Sequence, residues 1–226
     1  MTRGILYIVW KGDTNAPDLL DRSIASLKQW HPELPVHVVR LPDGAGLLAK
    51  SKMLEHSPFD TTLFLDADTV VLGNLNYGFE QAEKHGLACC ICECPWARRY
   101  DGLNHLGDIV EYNTGCLWFT KSMRPVFQLW QNYCSEVNSA HVFKSPRGRE
   151  CMPENDQCGF AKAIADTDTC PFVLPQNWNF RHTWHRAVFG PIKIWHDVRE
   201  VSDDVLAWNN RHAQPGATID FGVIAA

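Results

Sequence analysis

Two aspartates one residue apart, Asp66 and Asp68, interrupt the otherwise apolar stretch TTLFLDADTVVLGNL, residues Thr61 to Leu75. Residues i and i+2 of an extended segment project to the same side, so both carboxylates can face one object. Two carboxylates about 5 Å apart repel by roughly 3 kcal/mol at an effective dielectric of about 20, a cost that a buried loop does not sustain without a cation beside it. A divalent metal removes it: magnesium and manganese are held by one or two carboxylates together with the phosphate oxygens of a substrate. Ala67, between the two acids, is small enough to let that substrate approach. The other reading is a polar strand-end turn whose aspartates cap the following segment.

The elements that would position these carboxylates are read from hydrophobic period. GILYIVW is a strand, and Pro17 to Trp30 is a helix with Leu20, Ile24 and Leu27 on one face. VHVVRL is the next strand, and a helical stretch near Ala49 to Glu55 leads through Ser57-Pro58 into the aspartate segment. Strand, helix, strand, helix, strand implies a parallel sheet, and ligands of such sheets collect at the carboxyl ends of strands, where Asp66 and Asp68 fall. Further on come a strand at Leu87 to Cys92 and another at Gly115 to Phe119. A helix follows from Ser122, its expected N-cap, with Val126, Leu129, Trp130, Tyr133 and Val137 on its face. Beyond Asp203 the pattern fades.

A chain of 226 residues with 45% hydrophobic and 21% charged residues fits one soluble domain, and a net charge of −5 gives no reason to expect nucleic acid or an anionic membrane. The apolar run Ile5 to Trp10 is too short to span a bilayer and no basic leader precedes it, so a cytoplasmic protein is expected. Nine cysteines, an odd number with no CxxC pair, favour free thiols. The cluster CCICEC reads as a core strand rather than a metal tract.

Around the aspartates, the segments resemble the nucleotide-sugar glycosyltransferases of GT-A fold, especially the glycogenin-like, retaining family 8. AKSKMLEHSPFDTTLFLDADTVVLGNL resembles that family's third helix and aspartate-any-aspartate metal motif, and SIASLKQWHPELPVHVV its first helix and second strand. EYNTGCLWF is similar to its asparagine-small-glycine strand, ENDQCGFAKAI to its aspartate-glutamine helix, LPQNWNF to its proline-to-tryptophan-asparagine segment and IKIWHDV to its terminal strand with a metal-ligating histidine. The matches follow the family's order over about residues 5 to 198.

The resemblance implies a GT-A-like α/β domain, mostly parallel in its central sheet and flanked by helices. It makes Asp66, Asp68 and His196 ligands of a divalent metal, manganese first and magnesium second, that grips the diphosphate of a donor, with Ala67 beside it. Lys50, with Lys52 as its rival, would pair with donor sugar or phosphate oxygens. Asn113 would bind the sugar, and Asp156 and Gln157 would flank its anomeric carbon and supply catalysis. Trp10, Gly12 and Asp13 lie where the family cradles base and ribose. The family often carries a glycine and a lysine after the histidine; HDVREVSDD offers Arg199 for the diphosphate. The implied reaction moves a sugar from a nucleotide-sugar, typically a uridine diphosphate sugar, to an acceptor hydroxyl on a glycan, a lipid-linked sugar or a protein. The loop-like stretches PWARRYDGLNHLGD and HVFKSPRGRECMPEN would set the acceptor.

Two readings from other classes compete. An apolar strand followed by Asp66, Ala67, Asp68, Thr69 and Val70 also fits the first motif of haloacid-dehalogenase-like phosphatases, with Asp203-Asp204 as the late acidic motif. A catalytically inactive sugar-nucleotide or glycan-binding module would use the nine tryptophans for stacking on sugar rings.

Overall fold

The structure is a computed structural model describing residues 1–10, 16–92, 110–136, 139–145, 148–185, 187–212 and 221–223. The apolar run at the N-terminus forms β1 (Arg3–Trp10), buried on both faces as a central parallel strand should be. Helix α1 (Ala16–Trp30) returns the chain to β2 (Val36–Leu41), parallel to β1. A 3-10 turn (Leu47–Lys52) and the short α2 (Met53–His56), in place of a single helix, lead into β3 (Thr61–Leu65), parallel to β1 on its other side.

After β3 the chain turns through Asp66 to Asp68 into the short β4 (Thr69–Val71). The two aspartates therefore stand on a turn and not on a continuous extended segment, because the Thr69 hydroxyl donates to Asp66 O at 2.8 Å and folds the backbone back. Helix α3 (Asn76–His85) precedes β5 (Leu87–Ile91), and β6 (Tyr112–Thr120) runs antiparallel between β3 and β5. Ser122 is not a helix cap: it lies inside a 3-10 turn (Lys121–Met123), with its hydroxyl 2.7 Å from that of Thr120, and α4 (Arg124–Glu136) starts after it. The stretch taken as loop holds a hairpin, β7 (His141–Ser145) with β8 (Gly148–Met152). Helix α5 (Asp156–Asp166), β9 (Phe172–Val173), β10 (Ala187–Phe189) and β11 (Ile194–His196) follow. The tail is also structured, with α6 (Asp203–His212) and β12 (Phe221–Val223), which pairs with β10. Asp203 and Asp204 in the first turn suit the positive end of the α6 dipole.

The central sheet has six strands in the order β2-β1-β3-β6-β5-β9, and β6 alone runs against the rest. Alternate side chains of each central strand enter two separate cores. Ile5, Tyr7, Leu63, Leu65, Cys90 and Trp118 pack on one face under α1 and α3, which contribute Leu20, Leu27 and Phe79. Leu6, Ile8, Phe64, Cys89, Leu117 and Phe119 pack on the other under α4 and α5, which contribute Phe127, Trp130 and Phe160. This two-faced burial explains why the strands read as unbroken apolar runs and why Cys89 and Cys90 sit in a core strand. The eight cysteines among the described residues form no disulfide with one another, and burial pushes the thiols of Cys89 and Cys116 well above the ordinary range. Among the described residues no helix is long and apolar enough to cross a membrane.

Leu63 is fully buried at the centre of this arrangement. Leu63→Ala is expected to lower unfolding free energy by about 2–5 kcal/mol, measured by denaturant titration; a loss below about 1 kcal/mol, outside that range, contradicts the packing described.

Candidate metal centre

The turn after β3 delivers Asp66 and Asp68, and β11 brings His196 to them. Strand β11 pairs antiparallel with β4, placing His196 opposite Thr69, and Asp197 N donates to Asp68 O at 3.0 Å. The three side chains offer ligand atoms that all lie within 4.8 Å of one another. His196 Nε2 stands 3.2 Å from Asp68 Oδ1 and 3.8 Å from Asp66 Oδ2. Arg22 of α1 braces the segment after His196: Nη2 donates to Asp197 O at 2.8 Å and Nη1 to Val198 O and Arg199 O at 3.2 Å each.

Gly115 of β6 makes room for the cluster. Asp66 N donates to Gly115 O at 2.8 Å, and a Cβ on Gly115 would stand 2.3 Å from Asp66 Oδ2 and 2.5 Å from His196 Cε1. No side chain of any size fits there without moving two of the three ligands.

Lys50 supplies the positive charge. Its ammonium is 2.6 Å from Asp66 Oδ1 and 2.8 Å from Oδ2, and the residue is only 5% exposed. Burial works against that charge, but Asp66 and Asp156 outweigh it and raise the Lys50 pKa. The rival Lys52 is exposed. Asp156, at the start of α5, is 4% exposed; burial pushes its carboxyl up, and Lys50 and the Thr114 hydroxyl, which donates at 2.6 Å, only partly offset this. Burial also pushes the Asp68 carboxyl up, but His196 and Lys50 prevail and hold it at about 2. Three carboxylates thus face one buried ammonium and one imidazole, a surplus of negative charge that a divalent cation would complete. Carboxylate and imidazole together form a donor set that such an ion accepts.

The amides form a second row. Asn113 Nδ2 donates to Gln157 Oε1 at 2.9 Å, and Asn179 Nδ2 donates to Asn113 Oδ1 at 2.8 Å. Asn179 Oδ1 in turn meets His196 Nδ1 at 2.8 Å. Asn155 caps α5, its side chain accepting from Gln157 N at 2.9 Å, which fixes Asp156 and Gln157 in the first turn.

Of the residues expected from sequence, Asp66, Asp68, His196, Lys50, Asn113, Asp156 and Gln157 come together, and Ala67 packs against the core beneath the turn. Arg199 is engaged elsewhere: its guanidinium pairs with both oxygens of Asp197, at 2.9 and 2.7 Å, and with the Thr183 hydroxyl at 2.8 Å. Trp10 ends β1, opposite Leu41. Gly12, Asp13, Val137, Cys94 and the stretch PWARRYDGLNHLGD lie outside the described residues, as do positions 146 and 147 of the second loop. Arg22, Thr114, Asn155 and Asn179 were not anticipated. Asn179 stands in the segment LPQNWNF, where it could have been singled out, whereas nothing local marks Arg22 as a brace.

No protein-family model and no curated protein matches the sequence. Solved structures do match. The galactosyltransferase LgtC, in complex with donor and acceptor sugar analogs, superimposes with a TM-score of 0.57 at 14% identity over 93% of this chain and 94% of that one. Mouse xyloside xylosyltransferase 1 gives 0.54 at 14% identity over 87% and 97%. The bifunctional glycosyltransferase WbbM gives 0.54 at 12% identity over 80% of this chain and 40% of its own. The chain shares the GT-A fold of these glycosyltransferases, as the order of its sequence segments implied.

If the cluster takes up a divalent cation, Gly115→Ala is expected to leave the far-ultraviolet circular dichroism unchanged while weakening that binding, read by calorimetry with Mn2+ as the probe, at least about tenfold, the scale on which metal sites respond to displaced ligands. Undiminished affinity in a folded variant contradicts the close approach at this glycine.

Proposed function

We propose that the chain transfers a sugar from a nucleoside-diphosphate sugar to an acceptor hydroxyl. Uridine diphosphate is the leaving group, and the anomeric configuration is retained as in family 8. The observation that carries this reading is the convergence of Asp66, Asp68 and His196 beside buried Lys50 on a GT-A fold. The galactosyltransferase of like fold was solved with donor and acceptor sugar analogs, and a two-substrate transfer is what that likeness suggests here.

A divalent cation, Mn2+ or in its place Mg2+, supplies Lewis-acid stabilisation of the charge that builds on a departing diphosphate. The chain's own groups do the rest. Asp66, Asp68 and His196 would hold the ion, and Lys50 orients Asp66 through both of its carboxylate oxygens. Asp156 places a carboxylate, fixed by the Thr114 hydroxyl, where the positive charge of an oxocarbenium-like state can be stabilised. Asn113 and Gln157 order the polar wall against which the sugar would rest.

The phosphatase reading loses its support at both ends. Asp203 and Asp204 are exposed in the first turn of α6, away from any carboxylate cluster among the described residues. Asp66, which would have to attack phosphorus, has both oxygens on Lys50. A panel of nucleotide-sugars and phosphomonoesters, with and without Mn2+, separates the readings. The expected outcome is slow, Mn2+-dependent release of free sugar and nucleoside diphosphate when no acceptor is present, since water can replace the missing hydroxyl. Phosphate release from monoesters that vanishes in Asp66→Asn, with no nucleotide-sugar consumed or bound, would establish the phosphatase; donor binding without turnover would establish the inactive module. The first-formed product from any accepted donor is expected to keep the donor's anomeric configuration by proton NMR, and inversion would remove the family 8 assignment.

A further inference from the structure

The oxygen and nitrogen of an asparagine or glutamine amide are nearly indistinguishable by shape, and so are the two tautomers of histidine. In this site one group settles them all. The backbone N–H of Gly115 can only donate, and it points at a side-chain atom of Asn113 at 3.1 Å. That atom must be the Asn113 oxygen. The same atom lies 2.8 Å from Asn179, so the Asn179 atom facing it must be the amide nitrogen. The other end of Asn179, now necessarily its oxygen, faces His196 Nδ1 at 2.8 Å, and His196 must donate there. In the opposite direction, the Asn113 nitrogen faces Gln157 at 2.9 Å, and the Gln157 atom it meets must be the oxygen.

We infer that the backbone N–H of Gly115, relayed through Asn113 and Asn179, fixes a proton on His196 Nδ1 and fixes the side-chain oxygen of Gln157 on Asn113, which leaves the Gln157 amide nitrogen to donate elsewhere. Asn179 is a positioning residue, buried, with both ends of its amide used within the protein. Its two ends join the metal ligand to the sugar wall.

Two consequences follow. The proton on Nδ1 leaves Nε2 as the nitrogen with a lone pair for a cation, and Nε2 is the atom aimed at Asp66 and Asp68. At the other end Gln157 Oε1 is already an acceptor for Asn113, and Gln157 Nε2 makes no hydrogen bond among the described residues. Gln157 therefore has amide donors to offer to sugar oxygens, while its oxygen is oriented by Asn113 with one lone pair left over. This second consequence rests on the glycosyl-transfer reading; the first does not.

The relay is wide open to test because it concerns hydrogens and not activity. Long-range 15N–1H spectra of protein labelled at histidine should show His196 protonated at Nδ1, both without metal and with Mg2+. In Asn179→Ala without metal, at a pH where the imidazole is neutral, the proton should move to Nε2, where Asp68 accepts it, and Mn2+ affinity should fall about 10–100-fold. Asn179→Asp keeps an acceptor for Nδ1–H and should keep the proton there, a rescue that a merely space-filling role does not predict. Wild-type His196 bare at Nδ1 overturns the relay even if sugar transfer is observed. Nδ1–H present in the wild type and unmoved in folded Asn179→Ala overturns the part assigned to Asn179. Nδ1–H that responds as stated, in a protein that turns over no nucleotide-sugar, upholds the relay and removes the transferase reading alone.

Discussion

Three carboxylates converge on one buried ammonium. Asp66 and Asp156 both act on Lys50, and Asp68 stands across the turn against His196. Such an assembly is unstable in an apolar interior unless charges and hydrogen bonds are nearly complete, and much of the surrounding architecture serves to complete them. The Thr114 hydroxyl closes on Asp156, the Asn155 cap fixes the helix start that carries it, and the missing side chain of Gly115 lets Asp66 and His196 approach. What stays unbalanced among these residues is negative charge, placed at the end of the sheet where α/β proteins collect their ligands.

The scaffold that holds this charge is rigid for a simple reason. Each central strand sends alternate side chains into two cores, so β1, β3 and β6 are clamped from both sides. The turn bearing Asp66 and Asp68 leaves the middle of that clamp, and the glycine that admits Asp66 and His196 lies on the neighbouring strand. His196 is not on the large sheet and meets it side by side, against Gly115 and through Asn179 to Asn113 of β6. It arrives on the short β11 and is held by β4, by Arg22 and by the smaller cluster of Phe180, Ile192, Trp195 and Val205. The site thus joins a rigid half to a half fixed by a few specific contacts.

Much of this was legible in sequence because it is local. Unbroken apolar runs gave β1 and β3, and the aspartate pair stood out because charge is rare in such a run. The segment order carried the GT-A resemblance, which the structural matches bear out at the level of fold. Other features depend on partners distant in the chain. At Asp66 to Asp68 an extended segment and a strand-end turn were both open readings, because the Thr69 hydroxyl bond that folds the turn has no periodic signature. Ser122 looked like a cap because its neighbours are helical, yet a 3-10 turn comes first. Helix α6 was unread because its apolar face, Val205 with Trp208, is thin and acquires meaning only against Ile192 and Trp195. The bracing by Arg22 and the amide relay through Asn179 are contacts between segments, visible only once the chain is folded.

On the proposed function, the surplus negative charge at Asp66 and Asp68 takes up a divalent cation together with a nucleoside diphosphate. Calorimetric titration of uridine diphosphate into the protein, with and without Mn2+, for the wild type and for Asp68→Ala, tests it most directly. Strong binding is expected in the wild type only when Mn2+ is present, with loss of that dependence in a folded Asp68→Ala protein. Binding that is indifferent to Mn2+, or a Mn2+ dependence that survives the loss of Asp68, would contradict it.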